Sequence, residues 1–202
     1  DACRAFRDAG KLALGVCNGF QVLIKTGLLD VEDAAGDGGD GCDPGDGAEP
    51  LATLTWNDHG RYEARWVTLD ATPGECVFLR GVERIELPIA HAEGRIAVRD
   101  DAALDTLARR GQVVLRYADP ASDAVANDAV LPFPANPNGA AGNAAALCDT
   151  TGRVLGLMPH PERFLFATQH PKWTRLAAAG EIDPRGEGAG LRLFRNAVDH
   201  FA

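Results

Sequence analysis

Leu12-Ala13-Leu14-Gly15-Val16 runs without a break into Cys17-Asn18-Gly19-Phe20-Gln21-Val22-Leu23-Ile24-Lys25-Thr26-Gly27, and this passage decides the fold class. Five consecutive apolar residues after Lys11 suit a short strand buried on both faces, the habit of parallel sheets. From Cys17 the period changes. Phe20, Leu23 and Ile24 recur at helical spacing, and Gly27 is a helix stop. A strand that passes directly into a helix is a βα unit of an α/β protein. Cys17 sits at the junction with glycines two residues before and two after, the thiol form of the G-x-S-x-G nucleophile elbow. At such a sharp turn Gly15 and Gly19 are both expected to keep side-chain bulk away. The sulfur would lie at a helix N-terminus, where the dipole and free N–H groups favour thiolate. The N–H of Asn18 points to the same place as an oxyanion donor. A buried structural cysteine in a tight turn fits the pentapeptide equally well.

Outward from this unit, residues 1–11 read as the tail of an amphipathic helix closing at Gly10. Strand-like runs follow at 61–69, 85–94, 95–99, 112–118 and 153–159, with helices at 100–111 and 189–202. The runs 85–94 and 95–99 make a β-hairpin candidate. A Pro- and Asn-rich turn occupies 131–143, and there is no internal repeat. One α/β domain over 1–202 with several β insertions accounts for this order. Residues 32–49 interrupt it with an acidic, Gly-rich loop. Gly36 to Gly41 match G-x-G-x-x-G literally, but follow no strand, open no helix and carry carboxylates that repel phosphate. The loop also holds one copy of a calcium β-roll pattern, which binds metal only when stacked. A solvated loop is the reading adopted.

Near the other end, Val154-Leu155-Gly156-Leu157-Met158-Pro159-His160-Pro161-Glu162-Arg163 runs from an apolar strand into a polar corner. His160 and Glu162 are two apart, so in an extended segment their side chains leave on one side. Glu162 would then hold one ring nitrogen and leave the other to take a proton from a thiol, as in a Cys-His-Glu triad. A surface turn with an incidental ion pair explains the tripeptide alone. His91-Ala92-Glu93 has the same spacing and is a rival base. His59, His170 and His200 read as solvated or core histidines.

The chain has 202 residues, 46% hydrophobic and 24% charged, enough for one ordinary core and too apolar for disorder. Lys and Arg number 20 against 29 Asp and Glu, a formal net charge of −9, which argues against nucleic acid and anionic membrane as partners. No apolar run approaches the roughly 20 residues of a membrane span. Cys3, Cys17, Cys42, Cys76 and Cys148 form no C-x-x-C pair and are odd in number. Free thiols in a reducing, cytoplasmic setting follow.

With these residues in place the chain resembles the class I glutamine amidotransferases, and among them the glutaminase subunits of phosphoribosylformylglycinamidine synthase, of purine biosynthesis. Cys17-Asn18-Gly19-Phe20-Gln21, Pro88-Ile89-Ala90-His91-Ala92-Glu93-Gly94-Arg95, Asn136-Pro137-Asn138-Gly139 and Met158-Pro159-His160-Pro161-Glu162-Arg163 carry the resemblance in order along almost the whole chain. Ala92 stands where the family usually has Gly. The resemblance implies a flavodoxin-like, doubly wound, mostly parallel α/β sheet with Cys17, His160 and Glu162 as the triad. It implies a glutamyl thioester on Cys17, L-glutamine bound by Gln21 and Ala90-His91-Ala92, and no cofactor or metal on this subunit. The released ammonia would pass to a synthetase subunit that uses ATP and Mg, with a small accessory subunit in the complex.

The family begins with further βα units, one of whose loops supplies a second oxyanion N–H from a glycine. Only 16 residues precede Cys17 here, so the N-terminal units are expected to be missing from this sequence. Two alternatives to a working glutaminase stay open on sequence alone: a non-catalytic docking module, and a cysteine hydrolase for another acyl substrate.

Overall fold

The computed structural model describes residues 2–32, 50–122 and 129–202. The acidic loop, with the glycine pattern at 36–41, lies outside the described residues apart from Glu32. Among the described residues, eight strands and five α-helices follow one another as α1 (Ala2–Asp8), β1 (Ala13–Val16), α2 (Asn18–Lys25), β2 (Ala52–Thr55), β3 (Glu63–Ala71), β4 (Arg84–His91), β5 (Arg95–Val98), α3 (Asp101–Arg109), β6 (Val113–Ala118), β7 (Ala144–Cys148), β8 (Val154–Leu157), α4 (Trp173–Ala178) and α5 (Leu191–Asp199).

The α/β class holds. Six strands form one sheet in the order β1-β8-β7-β6-β3-β4, and β2 with β5 forms a separate two-stranded ribbon. Among the described strands the parallel character is concentrated at one end, where β1 lies parallel to β8 with Val16 opposite Leu157. The other four pairings of the main sheet are antiparallel. The β7–β8 pairing is tied by a five-residue turn in which Asp149 Oδ1 accepts from the N–H groups of Arg153 (2.9 Å) and Val154 (2.8 Å). So short a link permits only an antiparallel pair.

One expectation is corrected here. Residues 85–99 do not form a hairpin: β4 pairs with β3, and β5 crosses to pair with β2. His91 is therefore the last residue of a sheet strand, and Ala92–Gly94 is the corner where the chain leaves that sheet. Two strands escaped the sequence reading. β7 is Ala-Ala-Ala-Leu-Cys, every residue buried between β6 and β8, yet alanine carries little strand preference. β2 is a four-residue edge whose partner lies about forty residues on.

The core runs through the sheet from Phe20, Leu23 and Ile24 of α2 to Leu147, Leu155 and Leu157 on β7 and β8. The three α2 residues are the face read from their spacing. Asp100 caps α3 by accepting from Ala103 N–H at 2.7 Å, and Gly111 turns the chain after it at φ 68°. His170 is a core residue, packed against Trp66 and Phe164 and bonded to Glu86 at 3.1 Å. Among the described residues no helix is long and apolar enough to cross a membrane.

Candidate active site

The elbow forms because two glycines on neighbouring strands let a helix come close. Gly15 and Gly156 lie opposite each other in the β1–β8 pair. A methyl group on Gly15 would sit 2.5 Å from Leu23 Cδ1 and 2.7 Å from the carbonyl carbon of Gly19. One on Gly156 would sit 2.2 Å from the Phe20 ring. Both contacts are impossible for a side chain, so α2 can lie over this spot only while both positions are glycine. Gly19 differs from its expected role. A methyl there would meet nothing within 4 Å, so its backbone, not its lack of a side chain, makes the close contact.

Cys17 takes φ 52° and ψ −107° at the junction of β1 and α2. Positive φ in a residue with a side chain costs about 1–3 kcal/mol and persists only where the surroundings impose it. They do so through two backbone bonds. Cys17 N–H donates to Leu157 O at 2.8 Å, and Gln21 N–H donates to Cys17 O at 3.2 Å. The first intrahelical bond is thus made by Gln21, and the Asn18 N–H is not consumed inside α2.

His160 lies just beyond β8, at the same end of the parallel pair as Cys17. Its N–H donates to Pro88 O at 2.8 Å, which anchors it to β4. Its Nδ1 is 2.5 Å from Glu162 Oε1. The pair forms through a 3-10 turn over Pro161–Arg163 rather than the extended backbone expected from the spacing. Since a carboxylate only accepts, Nδ1 carries the proton and Nε2 presents a lone pair. That Nε2 is buried and has no hydrogen-bond partner among the described residues, so it does not touch the Cys17 sulfur in this resting arrangement. Thiol and base often close up only around substrate.

The segment Ala90-His91-Ala92-Glu93 borders the same end of the sheet. Gln21, one turn into α2, donates its side-chain N–H to Glu93 O at 3.1 Å. Ala92 O accepts from Asn57 N–H at 2.8 Å, and Ala90 lies opposite Ala64 in the β3–β4 pair. The rival His91-x-Glu93 pair does not form. Glu93 is exposed, and His91 Nδ1 meets Asn57 Oδ1 instead, at 3.1 Å. Burial above all, and then the nearby His160, push the His91 ring down to about 4, so it stays neutral at pH 7.

Sequence reasoning missed Asn57 and met Asn136 and Asn138 only within the family motif, without a role; all three brace this corner. Asn138 Nδ2 donates to Gly94 O at 2.9 Å, and Asn136 Oδ1 accepts from the N–H of Gly139 at 3.0 Å and of Ala140 at 3.2 Å. All three are buried. The sequence offered only the density of asparagine in the turn at 136–143; that these side chains are buried, and so must each be bonded, shows only in the structure.

Fold and site together fit a glutamine amidotransferase: a thiol on a strand-to-helix elbow, and at the same end of the sheet a histidine held by a carboxylate. The CobB/CobQ-like glutamine amidotransferase domain matches residues 1–201, and the chain belongs to that family. It is similar to phosphoribosylformylglycinamidine synthase subunit PurQ of Methanococcus maripaludis, 37% identical over all of this chain and 70% of that protein. PurQ of Dehalococcoides mccartyi is 40% identical over 96% of this chain and 65% of its own length. The structure of PurLQS from Thermotoga maritima contains a chain that superposes with TM-score 0.62 and 25% identity, over 99% of this chain and 66% of that one.

Proposed function

We propose that this chain is the glutaminase part of a phosphoribosylformylglycinamidine synthase, with Cys17, His160 and Glu162 as its triad. The observation that carries the reading is the 2.5 Å His160–Glu162 contact, which leaves Nε2 free at the end of β8, next to the strand that presents Cys17. His160 takes the Cys17 proton and the sulfur attacks the carboxamide carbon of glutamine. The carbonyl oxygen becomes an oxyanion beside the Asn18 N–H. As the C–N bond breaks, His160 returns the proton to nitrogen, releasing ammonia and leaving a glutamyl thioester. Water, activated by His160, then splits the thioester to glutamate and free thiol. Glu162 orients the ring and stabilises its charged form. Gln21 and Ala90-His91-Ala92 line the glutamine pocket.

Ammonia passes to the synthetase subunit, which makes formylglycinamidine ribonucleotide for purine biosynthesis. ATP and Mg belong to that partner, a small accessory subunit completes the complex, and the glutaminase carries no cofactor of its own. The setting is the cytoplasm. In the assembled complex, Cys17→Ala should abolish glutamine-dependent synthesis and leave ammonia-dependent synthesis intact, because ammonia bypasses the thiol. Glutamine turnover that survives in Cys17→Ala would overturn the assignment.

A further inference from the structure

The Asn57–His91 pair is built in more detail than a wall of a pocket requires. The two hydrogens of Asn57 Nδ2 go to carbonyl oxygens, Arg61 O at 2.8 Å and His91 O at 3.0 Å. Neither oxygen can donate, so the amide orientation is settled and Oδ1 faces the His91 ring. That oxygen also receives Gly94 N–H at 3.4 Å. An amide oxygen only accepts, so the proton of the neutral ring is on Nδ1 and Nε2 carries a lone pair. Gly94 closes the slot around the ring. A methyl group there would lie 2.3 Å from Nδ1, and Asn138 holds Gly94 by its carbonyl.

The exposed end of this arrangement is chemical rather than spatial. His91 is 4% exposed, and its Nε2 has no partner among the described residues. A buried acceptor without a donor is a group waiting for one. Two contacts tie its strand end to the thiol site, Gln21 to Glu93 O and His160 N–H to Pro88 O in the same strand, and the charge of His160 is felt at the His91 ring.

We propose that Asn57 is a positioning residue that holds His91 as its neutral Nδ1–H tautomer, so that Nε2 accepts a hydrogen bond from the carboxamide NH2 of glutamine. This rests on the glutaminase reading. A neutral ring with its proton turned away cannot serve an oxyanion or a carboxylate, which need donors. Of the N–H groups glutamine offers, the carboxamide is the one that must sit between Cys17 and His160. His91 accepts this bond from the amide and keeps it as nitrogen leaves as ammonia, which still carries N–H. It takes no proton itself. Glu63 favours protonation of the ring, but burial and the neighbouring His160 and His59 oppose it, and burial is the largest effect.

Nitrogen-15 NMR of histidine-labelled full-length protein should show His91 protonated on Nδ1 and neutral down to pH 5. In Asn57→Asp the ring should titrate at higher pH, because a carboxylate stabilises imidazolium. An Nε2–H tautomer in the unaltered protein would overturn the proposal. In the assembled complex, His91→Phe should lower the ratio of glutamine to γ-glutamyl methyl ester turnover by roughly tenfold, since the ester's leaving oxygen has no N–H to offer. An unchanged ratio, with both rates falling together, would reduce His91 to a structural residue. Cys17→Ala in the same assay separates the two ideas. If it turns over both substrates, the glutaminase reading fails; if it turns over neither, the ratio alone judges His91.

Discussion

Two buried histidines border one site, and what stands behind each Nδ1 sets them apart. Behind His160 is a carboxylate, Glu162, at 2.5 Å. Behind His91 is a neutral amide, Asn57, at 3.1 Å. Both contacts place the proton on Nδ1 and leave Nε2 as an acceptor. They differ in what happens when a proton arrives at Nε2. A carboxylate partner stabilises the imidazolium, which a general base must become in the middle of its cycle. An amide partner offers no such compensation, and burial makes the charged ring costly. His160 is thus equipped to move protons and His91 to keep an acceptor in place. The spacing H-x-E, common to both, does not decide the role. The charge of the group that actually reaches the ring does.

The largest effect that could break this comparison is on the chemical step. His160→Ala should lower thioester formation by about 10²–10⁴, the usual range for general base work. His91→Phe should cost far less in the same burst measurement. A reversed order would move the base to His91. A smaller effect sharpens the comparison through stability. The folded His91 ring is pushed down to about 4, against about 6.5 in an unfolded chain. Its neutral form supports the fold fully above pH 6.5. Between 6.5 and 4 the unfolded chain takes up a proton that the folded one refuses, so stability falls with pH, by roughly 3 kcal/mol over the window at most. Urea unfolding at pH 7 and pH 4.5 should therefore show a larger loss in the unaltered protein than in His91→Phe. Equal losses would mean that the ring is not held neutral.

Much of the site was legible because its parts are local. The β1–α2 junction announces itself in sixteen residues through a change of apolar period, and the elbow glycine Gly15 lies inside it. Its counterpart Gly156 is legible only as one glycine in an apolar strand. That it must be glycine follows from Phe20, which comes from an element 136 positions earlier in the chain. Spacing alone could not rank the two H-x-E tripeptides, which only the family resemblance separated, because Asn57, which takes the ring in one of them, lies 34 residues upstream. β7 stayed hidden for a related reason: three alanines make a strand only when two neighbours bury them on both sides. Local pattern thus located the proposed nucleophile and base, and long-range contacts set the different surroundings of the two histidines.

The central claim is that the thiol of Cys17 forms the covalent intermediate, and it is tested most directly by trapping that sulfur. The assembled complex would be treated with a chloroketone analogue of glutamine, with and without excess glutamine, and digested for mass analysis. The account predicts one adduct per chain on Cys17, suppressed by glutamine, with the exposed Cys3 and the buried Cys76 and Cys148 unmodified. Loss of glutaminase activity with the label on any other residue, or with Cys17 unlabelled, would contradict it.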